Sequence, residues 1–261
     1  MLRVNGIAAG YGGRDVIEDI SFSINPGSFT CVLGANGCGK TTLLKTVLGL
    51  IKPSRGAVFI DDKNIHSLTE KEVASRLAYI PQAHTPPFPF TVEDVVLMGR
   101  TPYLSALSRV SEEDRQAATQ AMEKLDITHM AKRKYTDLSG GQRQMVIIAR
   151  ALAQEPQVMV MDEPTASLDF GNQYIVLEQM TAMTELGISV LMVTHDPDHA
   201  LYCADQVLLM RDGLIIGHGA AAEVIDEQLM YNLYHTRVKM VTVPLCGGNS
   251  TTVCVPIPGK Q

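Results

Sequence analysis

With 46% hydrophobic and 19% charged residues, the 261-residue sequence has the balance of a folded protein, which excludes an intrinsically disordered chain. The net charge of -6 argues against a protein that grips nucleic acid or anionic lipid through a broad basic surface. The first residues lack the charged-then-apolar build of a signal peptide, and the five cysteines form no CxxC pair, so reduced thiols in a cytosolic protein are expected.

The opening third of the chain is predicted to form short β-strands. In ISFSI, Ile20, Phe22 and Ile24 alternate with polar residues, which indicates a strand with one buried face, and the turn sequence NPG follows it. The next apolar run, FTCVLG, leads into a glycine-rich loop. TTLLKTVLGLI then has apolar residues at helical spacing, so the predicted order is strand, loop, helix.

The glycine-rich loop fits the phosphate-binding pattern G-x-x-x-x-G-K-[ST] in the context that this pattern requires. Glycines let backbone amides converge on phosphate oxygens, and the helix N-terminus adds favourable partial charge. Lys40 is expected to neutralise terminal phosphates and the Thr41 hydroxyl to ligate magnesium, whereas a mere glycine turn would need no such pair. The predicted nucleotide-binding residues are Gly34, Ala35, Asn36, Gly37, Cys38, Gly39, Lys40, Thr41 and Thr42.

The pattern changes from strands to helices between residues 85 and 155. TVED at 91–94 and SEED at 111–114 are typical of capping boxes at helix starts. We interpret this stretch as a helical insertion. Within it, LSGGQ at 138–142 directly precedes a helical run and resembles a second phosphate cradle. The residues of this cradle are Ser139, Gly140, Gly141 and Gln142.

Two later apolar runs end on polar residues at the carboxyl end of predicted buried strands, where parallel sheets bind ligands. In VMVMDE, Asp162 is the expected magnesium partner and Glu163 is placed to orient or deprotonate an attacking water. An Asp-Glu pair alone is more often a solvated turn or helix cap, but the phosphate loop in the same chain favours the catalytic interpretation. His195, which ends ISVLMVTH, is expected to hold a γ-phosphate and the water in register.

Two weaker signals point to the same site. The amide oxygen of Gln82 could reach magnesium, and Gln82 is expected to act with His195 in sensing the γ-phosphate, although an isolated glutamine is normally a surface residue. Tyr11 lies among glycines, where an aromatic face could stack on a purine.

The C-terminal tail has an uncharged run from Met240 to Gly259, but prolines and a polar centre exclude a membrane-spanning helix. A β-hairpin around Gly247 and Gly248 is predicted instead. A disulfide between Cys246 and Cys254 across this hairpin stays open as the alternative to reduced thiols.

Together, in this order, the motifs resemble those of the ATP-binding subunits of ABC transporters over roughly residues 2–235. The matching motifs are Tyr11 in the adenine-stacking loop, GANGCGKTT as Walker A, Gln82 as the Q-loop, LSGGQ as the signature, VMVMDE as Walker B, Asp169 in the D-loop and His195 as the switch histidine. The resemblance implies an α/β P-loop NTPase core with a mostly parallel sheet, an N-terminal antiparallel β subdomain and a helical insertion. The domain prediction is an ATP-binding core at 1–84 and 155–235, a helical signature subdomain at 85–154 and a C-terminal extension at 236–261 that forms a β-hairpin.

The same resemblance implies how the second cradle is used. Two copies would pack head to tail, so that ATP and Mg²⁺ bound at the Walker A loop of one copy meet Ser139, Gly140 and Gly141 of the other. Departures from the family's usual motifs, such as Ala35 in place of proline and Thr41 in place of serine, remove no chemical group that the mechanism needs.

Three stretches, IHSLTEKEVASRLAYIPQ, GRTPYL and LSGGQRQMVIIARALAQ, resemble importers of iron-siderophore, haem or vitamin B12 type. That branch implies a homodimer at the cytoplasmic face of the cell membrane, beneath a permease fed by an extracytoplasmic binding protein. Two alternatives stay open: an exporter subunit with the same ATPase module, and a soluble ABC ATPase that acts on nucleic acid or in translation. The acidic charge balance disfavours the nucleic-acid alternative.

Overall fold

The computed structural model describes residues 1–82, 89–104, 109–244 and 250–258, which form twelve β-strands and nine α-helices. The strands are β1 (Leu2–Tyr11), β2 (Arg14–Ile24), β3 (Phe29–Leu33), β4 (Arg55–Ile60), β5 (Lys63–Asn64), β6 (Leu77–Ile80), β7 (Val158–Asp162), β8 (Ser189–Thr194), β9 (Gln206–Arg211), β10 (Leu214–Gly219), β11 (Val238–Pro244) and β12 (Ser250–Pro256). The helices are α1 (Lys40–Val47), α2 (Glu70–Ala74), α3 (Val92–Leu97), α4 (Glu112–Lys124), α5 (Gly140–Ala153), α6 (Phe170–Glu185), α7 (Pro197–Cys203), α8 (Ala221–Val224) and α9 (Glu227–Tyr234).

The N-terminal strands form an antiparallel sheet in the order β2-β1-β4-β5. The predicted alternation in β2 is confirmed, because Ile20, Phe22 and Ile24 are buried while Ser21 and Ser23 between them are exposed. The sheet therefore offers one apolar face to the rest of the molecule.

The central sheet has the order β10-β9-β3-β8-β7-β6, and all its strands except the edge strand β10 run parallel. Every residue of β3, β7 and β8 is buried. Successive side chains enter two different hydrophobic clusters, with Cys31 and Leu33 on one face and Val32 on the other. The mostly parallel sheet and the N-terminal antiparallel sheet agree with the predicted fold class.

The helices of residues 91–153 pack on one face of this sheet. The predicted capping boxes at Thr91 and Ser111 are confirmed at the starts of α3 and α4. Apolar residues of α3, α4 and α5 share a single hydrophobic cluster with Met159 and Met161 of β7. The helical insertion therefore packs against the sheet through a common hydrophobic core.

Helix α1 is shorter than the sequence pattern predicts. It ends at Val47, because Gly49 takes φ +73 and its amide bonds back to the Thr46 carbonyl at 3.0 Å. A glycine in the left-handed conformation is a common helix C-terminus. Ile51, which the apolar spacing assigned to the helix, therefore lies beyond it.

The C-terminal strands β11 and β12 pair antiparallel, with Val241 opposite Val253. The backbone amide of Cys254 donates to Asp198 of α7 at 2.7 Å, and Lys239 pairs with Glu227 of α9 at 2.8 Å. Residues 245–249, and with them the predicted turn glycines and the proposed disulfide partner Cys246, lie outside the described residues. Within the part of the chain that the structure describes, no helix is long and apolar enough to cross a membrane.

Candidate active site

The phosphate loop joins the buried strand β3 to α1, as predicted. Gly39 precedes the helix with φ 108, and a Cβ there would lie 2.7 Å from Ile17 Cγ2. A Cβ on Gly34 would lie 2.4 Å from the Met210 carbonyl oxygen. These two loop positions exclude side chains for steric reasons, so their glycines are required by the fold as well as by phosphate binding.

Lys40 is the first residue of α1, and only 6% of its surface is exposed. Its ammonium group donates to the carbonyl oxygens of Gly34 at 2.7 Å and Ala35 at 3.0 Å. The loop therefore holds the lysine over its own backbone, where it lines the same cleft as Asp162 and Glu163.

Asp162 is the last residue of β7 and lies opposite Val193 of the neighbouring strand β8. The hydroxyl of Thr41 donates to Asp162 Oδ2 at 3.3 Å. Burial raises the pKa of Asp162, and the negative charge of Glu163 adds to this effect, while the Thr41 hydroxyl and Lys40 oppose it. The structure thus brings together two of the three predicted magnesium ligands, which are 121 residues apart in the sequence.

Glu163 follows β7 directly and has three polar neighbours. Its Oε1 atom lies 3.1 Å from His195 Nδ1 and 3.8 Å from Lys40 Nζ. Gln82 donates its amide nitrogen to Oε2 at 3.2 Å. The carboxylate is 12% exposed, so it is shielded yet reachable by a water molecule.

Lys40, Gln82 and Glu163 border one cleft of about 370 Å³, which lies in the usual size range of small-molecule sites. His195 is not a lining residue of this cleft and contacts it through Glu163. The residues that line it are Val16, Asn36, Gly37, Gly39, Lys40, Thr41, Thr42, Gln82, Asp162 and Glu163. Val16 of β2 is the lining residue that the sequence reasoning missed, since only the tertiary fold brings this strand to the loop.

The donor chemistry of the cleft fits a magnesium ion. Mg²⁺ prefers oxygen ligands and usually keeps several waters, so it needs few protein groups. The Thr41 hydroxyl and the Asp162 carboxylate supply two oxygens at 3.3 Å from each other. No group of three or more His, Cys, Asp or Glu residues suited to a metal occurs among the described residues. Gln82 turns its amide nitrogen toward Glu163, so its role as a magnesium ligand stays a prediction.

Tyr11 does not line the cleft. It is the last residue of β1, its side chain is half-exposed, and Lys45 Nζ lies 5.9 Å from its ring centroid. The ring is thus accessible beside the last turn of α1. Its stacking on a purine stays a prediction.

The LSGGQ stretch forms the start of α5. The amide of Gln142 donates to Ser139 Oγ at 3.3 Å, and the Ser139 amide donates to Gln142 Oε1 at 3.2 Å. Gly140 and Gly141 are the first helical residues, and a Cβ on Gly141 would lie 2.5 Å from Asn172 Oδ1. Helix starts leave backbone N–H groups without intrahelical partners, which suits them to anions. None of these four residues lines the cleft described above.

Asp169 is the N-cap of α6. It accepts from the Asn172 amide at 3.0 Å and from Asn172 Nδ2 at 2.9 Å. The hydrogen bonds from Asn172 lower the pKa of Asp169. Because Asn172 also touches Gly141, the predicted D-loop and signature residues are neighbours within one chain.

Comparison with known proteins identifies the kind of site that this cleft forms. The sequence model of a family described as "ABC transporter" matches residues 17–166. The chain is 37% identical over 257 residues to the ferric enterobactin transport ATP-binding protein FepC of Escherichia coli strain K12, covering 98% of this chain and 94% of that one. It is 37% identical to the hemin import ATP-binding protein HmuV of Rhodococcus jostii strain RHA1, covering 94% and 84%. A solved structure described as an inward-facing conformation of a metal-chelate type ABC transporter has a TM-score of 0.88 at 31% identity, covering 98% and 97%.

Proposed function

Because this chain belongs to the ABC transporter family and is an ATP-binding ATPase, we propose that it energises the uptake of an iron-siderophore, haem, cobalamin or related metal chelate. Its similarity to ATP-binding subunits for ferric enterobactin and hemin supports this cargo class. A membrane permease would carry the cargo, as expected for a relative of ATP-binding proteins of transport and import. The protein would then lie at the cytoplasmic face of the membrane, with an extracytoplasmic binding protein delivering the cargo to the permease.

The observation that carries the ATPase role is the setting of Glu163 in the cleft. A carboxylate that contacts His195, Gln82 and Lys40 is held in one orientation beside the phosphate loop. In this proposal Glu163 is the general base, which accepts a proton from the water that attacks the γ-phosphate. Asn36 and Gly37 of the phosphate loop line the same cleft as Glu163.

Each neighbour has a role in the same step. The Nδ1–H group of His195 would donate a hydrogen bond to Glu163, because a carboxylate can only accept. This hydrogen bond would hold the carboxylate toward the water. Lys40 exchanges its carbonyl partners for phosphate oxygens, and the loop amides bind the remaining phosphate charge. Thr41 and Asp162 would hold Mg²⁺, with Gln82 at its edge; when bound, the ion neutralises charge on the phosphates.

The second cradle would complete the site in a homodimer. Ser139, Gly140, Gly141 and Gln142 lie outside the lining of the cleft, so we propose that they contact the nucleotide of a partner copy. Asp169, adjacent to this cradle through Asn172, would lie at the same interface. Tyr11, whose ring lies near Lys45 of α1, would stack on the adenine.

A transport assay tests the proposal. Cells that lack the gene would receive the wild-type chain or Glu163→Gln, and uptake of a labelled ferric siderophore, hemin and cobalamin would be measured in separate arms. We expect energised uptake of one of these cargoes with the wild-type chain only, and recovery of the chain with the membrane fraction. Efflux of a substrate instead of uptake would identify an exporter. A chain that hydrolyses ATP but never sediments with membranes would identify the permease-free alternative.

A further inference from the structure

His199 is a buried histidine that lies between the two loops carrying the proposed reactive side chains. It belongs to α7, and only 4% of its surface is exposed. Its Nδ1 atom lies 3.3 Å from the hydroxyl of Thr165, two residues after Glu163. Its Nε2 atom faces the carboxylate of Asp196, the residue after His195, at 3.5 Å.

The chemistry of the two neighbours fixes the protonation of the ring. The Asp196 carboxylate can only accept, so Nε2 carries the proton, and Nδ1 is left to accept from the Thr165 hydroxyl. Burial lowers the pKa of His199, while the carboxylates of Asp196 and Asp198 oppose this effect. A neutral ring with one donor and one acceptor therefore suits both contacts at once.

Both partners of His199 are themselves held in place. Thr165 is 3% exposed, and Gln173 of α6 donates to its carbonyl oxygen at 3.4 Å. Asp196 caps α7 by accepting from the Asp198 amide at 2.9 Å, and its own amide donates to the Thr194 hydroxyl at 3.0 Å. A shift of the histidine would thus be transmitted to the backbone on either side.

We propose that His199 is a positioning residue that ties the loop after Glu163 to the loop after His195 and so sets the 3.1 Å contact between the two proposed reactive side chains. The proposal rests on the roles given above to Glu163 and His195. His199 does not reach the cleft and takes no part in proton transfer. Misplacement of a reactive group by about 1 Å can cost a large factor in turnover, so the loss of this tie should be visible in catalysis.

The test compares three changes in the full chain under steady-state ATP hydrolysis. His199→Phe keeps a buried planar ring but loses both polar contacts, and Thr165→Val removes the hydroxyl partner. Tyr202→Phe is the matched control, since it removes a hydroxyl bond to Glu178 from the same helix without touching either loop. We expect His199→Phe and Thr165→Val each to lower kcat about tenfold or more with KM for ATP within about twofold of wild type, as expected for a loss confined to the transition state.

The double variant His199→Phe/Thr165→Val separates a specific tie from general damage. If the two residues act through one contact, the double variant should lose no more than the worse single variant. The proposal is overturned if the losses multiply, if KM rises in step with the fall in kcat, or if His199→Phe matches Tyr202→Phe. Should His199→Phe fail to fold, His199→Leu, which is also apolar and loses both polar contacts, takes its place with the same criteria.

A Glu163→Gln chain assayed in parallel keeps the two proposals apart. If that chain hydrolyses ATP at the wild-type rate, the catalytic roles themselves are wrong. If it is inactive while His199→Phe turns over normally, only the positioning role fails.

Discussion

Glu163 combines a strained backbone with a crowded side chain. Its φ of 47° lies in the left-handed region that residues other than glycine rarely adopt, which commonly marks functional sites. Glu163→Gln keeps the side-chain shape and an acceptor for His195 but removes the base. We expect kcat for ATP hydrolysis to fall by roughly 10²- to 10⁴-fold, while equilibrium binding of ATP is unchanged. Wild-type turnover in this variant would contradict the assignment.

Asp162 shows a conflict between stability and function. Its raised pKa means that the fold disfavours the ionised carboxylate, so stability is lost as the pH rises through that pKa. Asp162→Asn keeps an acceptor for Thr41 without the charge. We expect the nucleotide-free variant to have a higher Tm than wild type at neutral pH, with the difference vanishing as the pH falls toward the ordinary aspartate value of about 3.9.

The matched control for this prediction is Asp169→Asn. The pKa of Asp169 is lowered by its bonds from Asn172, so the same substitution should act in the opposite direction and lower Tm at neutral pH. Addition of ATP and Mg²⁺ should raise Tm strongly for wild type and weakly for Asp162→Asn. Equal pH profiles of Tm for wild type and Asp162→Asn would show that burial of this carboxylate does not cost stability.

The sequence predicts which residues meet in the cleft better than it predicts their contacts. The phosphate loop, Asp162 and Glu163 were found from glycine spacing and from strand ends, because those patterns are local. The contacts of Glu163 with Gln82 and Lys40 and the lining role of Val16 depend on how separate strands pack, which no local pattern encodes. Tyr11 illustrates the same limit, since it is adjacent to glycines as predicted yet is exposed and is not among the residues that line the cleft.

At the scale of elements, the helical segment is fastened by a buried arginine. Arg100 lies 3.1 Å from Asp114 of α4 and 2.6 Å from Glu155, just beyond α5, and it donates to the Ala153 carbonyl at 2.9 Å. Its guanidinium also stacks on the Tyr103 ring, 4.0 Å from the centroid. One side chain thus joins three stretches of the chain.

Arg100→Met should therefore destabilise the protein strongly. The substitution leaves the carboxylate of Asp114 buried without its cation, a situation that costs about 3–5 kcal/mol in free energy of unfolding. Urea denaturation measures the change. The double variant Arg100→Met/Asp114→Asn removes the unpaired charge and keeps a side-chain oxygen that accepts from the Ser111 amide and hydroxyl, so it should recover part of the loss. A double variant no more stable than Arg100→Met would contradict this explanation.

Element types were predicted well where the local pattern was clear, as in the alternation of β2 and the capping box of α4. Element ends were harder, because they depend on single backbone conformations such as that of Gly49 after α1. The docking of β12 on α7 through Asp198 could not be predicted, since a hydrogen bond from a backbone amide leaves no trace in the sequence of the donor strand. The domain boundaries stay a prediction, and the common core of α3, α4, α5 and β7 shows why no gap marks them.

At the scale of the whole molecule, we propose that the signature cradle and the phosphate loop bind two different nucleotides. Lys40 would serve a nucleotide bound to its own chain, and Ser139 a nucleotide bound to the partner. A single copy should therefore be a poor ATPase, and activity should rise with protein concentration, because association supplies the missing half of each site.

Mixing two inactive chains tests this arrangement directly. Lys40→Ala removes the phosphate cation, while Ser139→Asp keeps an N-cap for α5 but places a negative charge against the partner's γ-phosphate. Each variant alone should be inactive. A heterodimer of the two retains one unaltered composite site, so an equimolar mixture should recover about a quarter of wild-type hydrolysis if the sites act independently.

The same mixture made with Lys40→Ala and Glu163→Gln should recover nothing, because both of these changes affect each chain's own nucleotide. If the Lys40 and Ser139 variants stay inactive together although light scattering shows that they associate, the head-to-tail arrangement is wrong.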